Sequence, residues 1–223
     1  DIPYAHLAAI TNNFSRASFI GEGGSGEVYR GEFRGLWVTV IVKRFRGGGE
    51  SSKSLLREMR VLSTFRHRNI ITVYGMHVGE HPCILLEDAA MGDLKACLAA
   101  DETAKQLDWK ERFRIISEIG SAINHMHTYK PQHPAYHGDV KTANIVLTDH
   151  KVAKLIDYGM SRYQGKTDSN GVFSRNSFTL LGEVGGTKGY VDPYLCRGTG
   201  YVAASEIYSF GVVMADLLTG TSP

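Results

Sequence analysis

Four polar side chains in the second half of the chain have a spacing that suits chemistry on a phosphate. Asp139, Lys141 and Asn144 place a carboxylate, an ammonium group and an amide at offsets of zero, two and five, and Asp157 adds a carboxylate thirteen positions after Asn144. In phosphoryl transfer one carboxylate accepts the proton of the attacking hydroxyl, while the other holds magnesium together with the amide. The lysine offsets charge on the transferred group. The spacing therefore predicts a phosphoryl-transfer site.

Two short apolar runs connect these residues. Residues 145–147 and 152–156 are predicted to form strands, joined by a turn at 148–150. A hairpin of that length can bring Asp139 and Asp157 to one end of a cleft.

A glycine pattern near the start of the chain is a second candidate site. Gly21, Gly23, Gly26 and Val28 follow the spacing Gly-x-Gly-x-x-Gly-x-Val, which alone is also compatible with a flexible glycine turn. A dinucleotide-binding unit would need a helix after the third glycine. Here the β-branched run 37–42 follows instead. The pattern therefore favours a glycine loop that closes an antiparallel hairpin over nucleotide phosphates.

Lys43 ends the second strand of this hairpin and has a candidate partner in the next element. Residues 51–65 carry a helical apolar stripe, with serine available as the N-cap. Glu58 on this helix can pair with Lys43, which would then hold the α- and β-phosphates of ATP. A solvated strand end for Lys43 and a surface position for Glu58 are the alternatives.

The composition changes near residue 88. Strands are predicted at 70–76 and 83–86, followed by an extended connector and a helix that begins at Leu94. A long helix is predicted over 109–127. The apolar residues expected on the core face of that helix are Phe113, Ile116, Ile119, Ile123 and Met126.

Histidines crowd between residues 125 and 137. A metal site is conceivable there, but His125 and His127 point in different directions on a helix, and Pro131 and Pro134 interrupt the segment. The sequence favours a structural role for these histidines.

Charge and hydropathy exclude several classes of protein. The 223 residues are 43% hydrophobic and 22% charged, with a formal net charge of +2, which predicts a soluble globular protein with a large core. This balance predicts neither nucleic-acid nor anionic-membrane binding, and no apolar run is long enough to span a bilayer. Three cysteines without metal or disulfide spacing favour a reducing, cytoplasmic compartment. The first residue is Asp, which predicts an excerpt of a longer protein.

Taken together, the motifs resemble those of a protein kinase catalytic domain. The matching residues, in chain order, are Gly21, Gly23, Gly26, Val28, Lys43, Glu58, His137, Asp139, Lys141, Asn144, Asp157, Gly159, Gly186, Thr187, Tyr190 and the tails 208–211 and 217–220. The resemblance implies an α+β, bilobal kinase fold, with a β-rich N-lobe that carries one long helix and a mainly helical C-lobe. The expected organisation is an N-terminal extension at 1–15, an N-lobe at 16–88 and an incomplete C-lobe at 89–223.

Within the kinases the chain is similar to the Pelle and interleukin-1-receptor-associated kinase branch of the tyrosine-kinase-like group, and to plant receptor-like kinases. The segments that carry this similarity are 11–15, 21–24, 67–70, 107–109, 137–139 and 208–213. Lys141, two positions after the catalytic aspartate, and Thr187 resemble the serine/threonine class. Protein Ser and Thr hydroxyls are therefore the expected acceptors.

The resemblance also implies roles for individual residues, with ATP and Mg²⁺ as cofactors. Asp139 would be the catalytic base and Lys141 the phosphate clamp. The metal ligands would be Asn144 and Asp157. The nucleotide would contact the glycine loop, Lys43, and a set of residues around adenine and ribose that comprises Val28, Ile41, Leu86, Glu87, Ala89, Asp93 and Val146.

Four residues depart from the family pattern. Ile41 replaces the alanine above adenine, Gly138 replaces an arginine that grips an activation-segment phosphate, Tyr194 replaces a structural glutamate, and Glu206 replaces an aspartate that braces the catalytic loop. Ile41, Tyr194 and Glu206 keep open the alternative of a pseudokinase that acts as a signalling scaffold. Gly138 implies activity that depends less on phosphorylation of the activation segment. Ser177 and Thr179 are the preferred regulatory phosphorylation sites.

Partners follow from the branch resemblance alone. Protein substrates bearing Ser or Thr are expected, in Toll/interleukin-1-type or receptor-like signalling and innate immunity. Regions outside this chain would bind death-domain adaptors of the receptors. The expected location is the cytoplasm, with recruitment to the membrane by a receptor complex.

Overall fold

A computed structural model describes most of the chain in two compact units. The described residues are 1–23, 26–33, 38–46, 49–130, 134–163, 186–197 and 203–220, without the side chains of 49–54, 162–163 and 196–197. One unit comprises residues 1–66 and 71–89, and the other comprises residues 67–70 and 90–223. Ser177 and Thr179 lie outside the described residues.

The first unit is built on a five-stranded antiparallel sheet. Its strands are β1 (Phe19–Gly23), β2 (Gly26–Phe33), β3 (Val38–Phe45), β4 (Val73–His77) and β5 (Cys83–Glu87). Their order in the sheet is β1-β2-β3-β5-β4. β3 and β5 are rich in β-branched and aliphatic residues, as suits strands with a buried face.

A short helix at the start of the chain packs on this sheet. In α1 (Tyr4–Ile10) Leu7 is fully buried. It belongs to a cluster with Val40, Val42, Cys83 and Leu85. The amide of Ile2 donates to the carbonyl oxygen of Met76 at 2.6 Å, which ties the chain start to β4. Residues 1–15 thus belong to the first unit and pack against its core through Leu7.

The long helix of the first unit is α2 (Gly49–Thr64). The predicted serine N-cap was wrong, because the helix begins before the first serine, at Gly49. Leu55, Val61 and Leu62 are buried, while Leu56 is 68% exposed. The apolar stripe therefore holds the helix against the unit, as its spacing indicated.

The second unit is mainly helical. It contains α3 (Leu94–Ala99), α4 (Asp101–Gln106), α5 (Trp109–Thr128) and α6 (Ala203–Thr219). Two small antiparallel sheets accompany them. One joins β6 (Gly92–Asp93), β8 (Ile145–Leu147) and β9 (Ala153–Leu155), and the other joins β7 (Ala135–Tyr136) and β10 (Arg162–Tyr163). The predicted β8–β9 hairpin is confirmed.

Helix α5 has the predicted length, and its buried face differs from the predicted one at two positions, because Ile116 is half-buried and Phe113 is exposed. Asp108 caps it by accepting a hydrogen bond from the amide of Glu111 at 2.9 Å. Ile115, Ile119, Ile123 and Met126 are buried, whereas Phe113 is 63% exposed, so its predicted core position was wrong. At about 100° per residue, Phe113 lies about 200° around the helix from Ile115 and so faces away from the core.

The segment 67–70 belongs to the second unit although it follows α2. The side chain of Asn69 donates to the carbonyl oxygen of Ala153 at 2.9 Å, and the amide of Leu155 donates to the carbonyl oxygen of Asn69 at 2.9 Å. Ile70 forms an isolated parallel bridge with Leu155. The predicted strand at 70–76 was too long for this reason, and β4 starts only at Val73.

The architecture confirms the predicted fold class, with a β-rich first unit that has one long helix and a helical second unit. Among the residues that the structure describes, no helix combines the length and the apolarity needed to cross a membrane.

We predict that stability of the second unit falls in mild acid through His67. Burial, His125, Arg68 and Lys154 lower its pKa below the ordinary value of 6.5. A group with a lowered folded-state pKa contributes stability above its unfolded pKa, and that contribution is lost as pH falls below about 6.5. The unfolding midpoint should therefore drop between pH 7 and pH 5.5, and drop less in His67→Gln. Equal drops in both proteins, measured by urea unfolding, would contradict this.

Candidate active site

The glycine loop of the first unit is formed by β1 and β2. A Cβ on Gly26 would lie 2.1 Å from the carbonyl oxygen of Arg44, so Gly26 is required by the close pairing of β2 with β3. A Cβ on Gly21 or Gly23 would meet no described atom within 4 Å. Packing within this unit therefore explains why position 26 is glycine. It does not explain the glycines at positions 21 and 23.

Lys43 and Glu58 form a buried ion pair in the first unit. Their Nζ and Oε2 atoms are 2.8 Å apart, with side chains only 9% and 1% exposed. β3 supplies the lysine, directly opposite Val28 in the register of β2, and α2 supplies the glutamate. The structure thus brings together two predicted site residues that lie fifteen positions apart.

The predicted adenine-binding residues of the first unit lie along β3 and β5. Ile41 is opposite Leu86 in the strand register, and Leu86 and Ala89 are buried. The amide of Glu87 donates to the carbonyl oxygen of Thr72 at 3.0 Å. In a backbone hydrogen bond with adenine, Glu87 would therefore have to be the acceptor, through its carbonyl oxygen.

Three side chains of the second unit converge on the Asp139 carboxylate. Lys141 Nζ donates to Oδ2 at 2.6 Å, and Asn144 Nδ2 donates to the same oxygen at 3.0 Å. The hydroxyl of Thr187 donates to Oδ1 at 2.8 Å and accepts from Lys141 Nζ at 2.7 Å. A carboxylate can accept about four hydrogen bonds, so Asp139 retains capacity for one more hydroxyl.

Asn144 and Asp157 lie close together at the β8–β9 hairpin. The amide of Ile156 donates to the Asn144 carbonyl at 2.9 Å. Asn144 Nδ2 donates to both the backbone and the side chain of Asp139, which leaves Oδ1 as the atom suited to a metal. Asp157 has left-handed backbone angles of φ 64 and ψ 72. Oxygen ligands fit Mg²⁺, and strain of this kind is typical of functional positions.

The ring of His137 forms hydrogen bonds with the backbone next to both acidic residues. Its Nε2 lies 2.8 Å from the Ile156 carbonyl, and its Nδ1 lies 3.2 Å from the amide of Asp139. Because a carbonyl only accepts and an amide only donates, Nε2 carries the proton and Nδ1 is the acceptor. The ring packs on Tyr158, with centroids 4.8 Å apart.

Gly138 and Glu206, two departures from the family pattern, contact each other. Gly138 has φ +86, and a Cβ there would lie 2.6 Å from the carbonyl oxygen of Met160. Its amide donates to Oε2 of fully buried Glu206 at 3.2 Å, while Oε1 lies 3.3 Å from His127 Nε2. Glu206 therefore contacts the loop that carries Asp139, as the family aspartate is expected to do. Tyr194, another departure, is 61% exposed.

Asp93 and Val146 are paired across β6 and β8. Asp93 also caps α3, because its Oδ1 accepts from the amide of Ala96 at 2.8 Å. The two residues predicted to contact ribose and adenine from the second unit are thus neighbours.

A series of hydrogen bonds between buried polar side chains, next to the loop of Asp139, was not predicted from the sequence. Tyr190 donates to Oδ2 of Asp216 at 2.5 Å, and its oxygen lies 2.9 Å from the hydroxyl of Thr142. Burial raises the pKa of the Asp216 carboxyl, although the bond from Tyr190 opposes this effect. The sequence feature that could have indicated these contacts is Asp216, an aspartate within the apolar run of α6.

The chain belongs to the protein kinase domain family, whose sequence pattern matches residues 14–223. This match agrees with the site described above and confirms the recognised family.

Individual relatives support the predicted branch. The chain is 30% identical over 98% of its length to a Pelle-like serine/threonine-protein kinase, pik-1, of Caenorhabditis elegans, covering 46% of that protein. It is 36% identical over 98% of its length to U-box domain-containing protein 70 of rice, covering 26% of it. It is 32% identical over 96% of its length to wall-associated receptor kinase-like 20 of Arabidopsis thaliana, covering 32% of it. The chain thus spans less than half the length of these relatives.

Loss of Glu58 is expected to destabilise the first unit. Glu58→Ala leaves the buried Lys43 ammonium without this carboxylate, and breaking a buried pair costs about 3–5 kcal/mol. Replacing both residues, in Lys43→Met with Glu58→Leu, should cost less than the sum of the single changes, because no buried charge is stranded. Chemical unfolding of all the variants gives the coupling energy. Additive costs would contradict a coupled pair.

Gly138→Ala is expected to lower stability by about 1–3 kcal/mol, through its left-handed backbone and the contact with Met160. Gly211→Ala is the matched control, because Gly211 lies in α6 and a Cβ there meets no described atom within 4 Å. That change should stabilise the helix by about 0.5–1 kcal/mol. Thermal unfolding of both variants measures the difference, and equal effects would refute the role of Gly138.

Proposed function

We propose that this chain is the catalytic part of an ATP-dependent serine/threonine protein kinase. It transfers the γ-phosphoryl group of ATP to Ser or Thr hydroxyls of proteins. The observation that carries the proposal is the Asp139 carboxylate, which is oriented by Lys141, Asn144 and Thr187 and retains one site for a substrate hydroxyl. Family membership supports it, because protein kinases share this chemistry.

In the proposed reaction, Asp139 accepts a hydrogen bond from the acceptor hydroxyl and then its proton. The hydroxyl oxygen forms a bond to the γ-phosphorus as the bond to the bridging oxygen of ADP breaks. Lys141 donates to the γ-phosphoryl group, whose charge must be balanced in the transition state. Its 2.7 Å contact with Thr187 keeps its ammonium group at the base.

The resemblance to protein kinases also assigns the residues that would bind the nucleotide. Lys43, oriented by Glu58, would bind the α- and β-phosphates, and amides of the loop with Gly21 and Gly23 would cover them. Asn144 and Asp157 would hold Mg²⁺, which balances phosphate charge when bound. The adenine and ribose contacts would come from Val28, Ile41, Leu86, Glu87, Ala89, Asp93 and Val146.

Ile41 favours a second candidate function, a pseudokinase that signals as a scaffold. It is half-buried opposite Leu86, and its side chain is larger than the expected alanine by three carbons, which would crowd adenine. Six polar residues argue for the enzyme. They are Lys43, Glu58, Asp139, Lys141, Asn144 and Asp157.

We further propose a role in Toll/interleukin-1-type or receptor-like signalling, in the cytoplasm or at a receptor complex. The support is similarity to a Pelle-like kinase and to a wall-associated receptor kinase-like protein. Binding of death-domain adaptors would involve other regions of the whole protein.

The test is transfer of label from γ-labelled ATP, with magnesium, to the protein itself and to matched Ser, Thr and Tyr peptides. Asp139→Asn should lower transfer at least about 100-fold, because general-base catalysis typically contributes that much. Asp149→Asn is the control, since Asp149 lies 69% exposed in the β8–β9 turn. It should retain full activity, and label should appear on Ser and Thr.

Two results would contradict the kinase. Equal label in wild type and Asp139→Asn would exclude Asp139 as the base. If no variant of the folded protein becomes labelled but ATP with magnesium raises its unfolding temperature, the chain is a pseudokinase that binds nucleotide. If ATP does not raise the unfolding temperature either, nucleotide binding is blocked. Ile41→Ala should then restore the thermal shift if crowding by Ile41 is the cause.

A further inference from the structure

Asp88, directly after β5, has a buried carboxylate oxygen without a donor. Its side chain is only 9% exposed, and its Oδ1 has no hydrogen-bond partner among the residues that the structure describes. The other oxygen, Oδ2, lies 3.4 Å from Nε of Arg30 on β2. An ionised carboxylate only accepts hydrogen bonds, so Oδ1 needs a donor. Because nearly all buried polar atoms in proteins have a partner, this exception indicates a group that binds there.

The strand register places Arg30 on the face of the sheet that carries the proposed nucleotide contacts. Arg30 lies opposite Ile41, and Ile41 lies opposite Leu86. Residues directly opposite each other in an antiparallel pair have their side chains on the same face. Val28, two positions before Arg30, is on that face as well, because side chains alternate along a strand. The neighbouring positions of β3 and β5 instead form the cluster with Leu7 of α1.

The ion pair of Arg30 and Asp88 extends across β3. In the sheet β3 lies between β2 and β5, so the arginine side chain must pass over the strand that carries Ile41. Neighbouring strands are about 4.8 Å apart, and a long side chain can cover this span. The Asp88 carboxylate is therefore oriented toward the face of the sheet that carries Ile41 and Leu86, the residues proposed to contact adenine.

The charges of this ion pair indicate what kind of group satisfies Oδ1. The guanidinium group of Arg30 already balances the negative charge of Asp88 at Oδ2, so a second cation is not required. A neutral N–H or O–H group supplies the hydrogen bond and leaves the net charge unchanged. Such a bond is stronger than one between two neutral groups, because the acceptor is ionised. The nucleoside part of ATP has three groups of this kind, which are the 6-amino group and the 2′- and 3′-hydroxyls.

We propose that Asp88 is a specificity-determining residue for the nucleotide. Its Oδ1 accepts a hydrogen bond from the amino group or a ribose hydroxyl of the bound nucleoside, and Arg30 holds the carboxylate in position. The inference rests on the proposed kinase function, because it requires a nucleotide on this face of the sheet. It adds a side-chain contact to the proposed site, since Glu87 would contact adenine only through its backbone.

The test compares the binding of four nucleotides, each with magnesium, to the wild-type chain and to Asp88→Leu by titration calorimetry. The nucleotides are ATP, 2′-deoxy-ATP, 3′-deoxy-ATP and purine riboside triphosphate, which lacks the 6-amino group. Each analogue removes one donor, and its dissociation constant is divided by that of ATP. For one analogue this ratio should be at least about tenfold larger in wild type than in Asp88→Leu, because a hydrogen bond to a charged group has an effect of that order.

Glu27→Gln is the matched control. Glu27 also lies on β2 and forms an ion pair, in which its Oε2 is 2.8 Å from Arg44. It is next to Val28 in the strand and therefore on the opposite face of the sheet. This variant should keep the wild-type ratios for all analogues. Arg30→Met keeps the acceptor but removes the group that positions it, so the ratio for the selected analogue should lie between those of wild type and Asp88→Leu.

Two results would overturn the proposal. If ATP binds and the three ratios are the same in wild type and Asp88→Leu, Asp88 contacts no donor of the nucleotide, and the proposed kinase function is unaffected. If no nucleotide binds to the folded wild-type chain, both this inference and the proposed nucleotide site fail. The analogue that shows the difference identifies the donor as the amino group or one of the hydroxyls. If Asp88→Leu does not fold, Asp88→Ala removes the same acceptor without adding volume.

Discussion

The second unit is arranged around one carboxylate that is only 9% exposed. Asp139 loses most of its hydration, and such a group is stable only when hydrogen-bond donors replace the lost water. Those donors come from Lys141 and Asn144 nearby and from Thr187, 48 positions later in the chain. The segment at Thr187 must therefore return to the loop of Asp139, and this requirement links two distant parts of the sequence.

The backbone beside that carboxylate contacts a second buried carboxylate. The amide of Gly138 faces Glu206, whose carboxylate is buried beside His127. The backbone at Gly138 is left-handed and a Cβ there would clash with the Met160 carbonyl oxygen, and glycine adopts that conformation without steric cost. Two departures from the family pattern thus form one compatible arrangement, in which the longer acidic side chain and the absent Cβ occur together.

Much of the site was predictable because its signals are local. The spacing from Asp139 to Asp157 depends on one short hairpin, and the pairing of Lys43 with Glu58 depends on a strand followed by a helix. Phe113 was misplaced because an apolar residue next to a stripe cannot be assigned to either face without knowing what packs there. Contacts such as that of Tyr190 with Asp216 join residues far apart in sequence, so only the folded chain reveals them.

Strand β9 lies at the edge of its sheet, and other residues of the second unit bind the backbone groups on its outer side. At Ala153 the amide donates to Oε2 of Glu118 at 2.7 Å, and the carbonyl accepts from Asn69. An unprotected edge offers such groups to the strands of other molecules, which promotes aggregation. Here the side chains of Asn69 and Glu118 satisfy both backbone groups of Ala153, and the carbonyl oxygen of Asn69 accepts from the amide of Leu155. These backbone groups of β9 are therefore not available to a strand of another molecule.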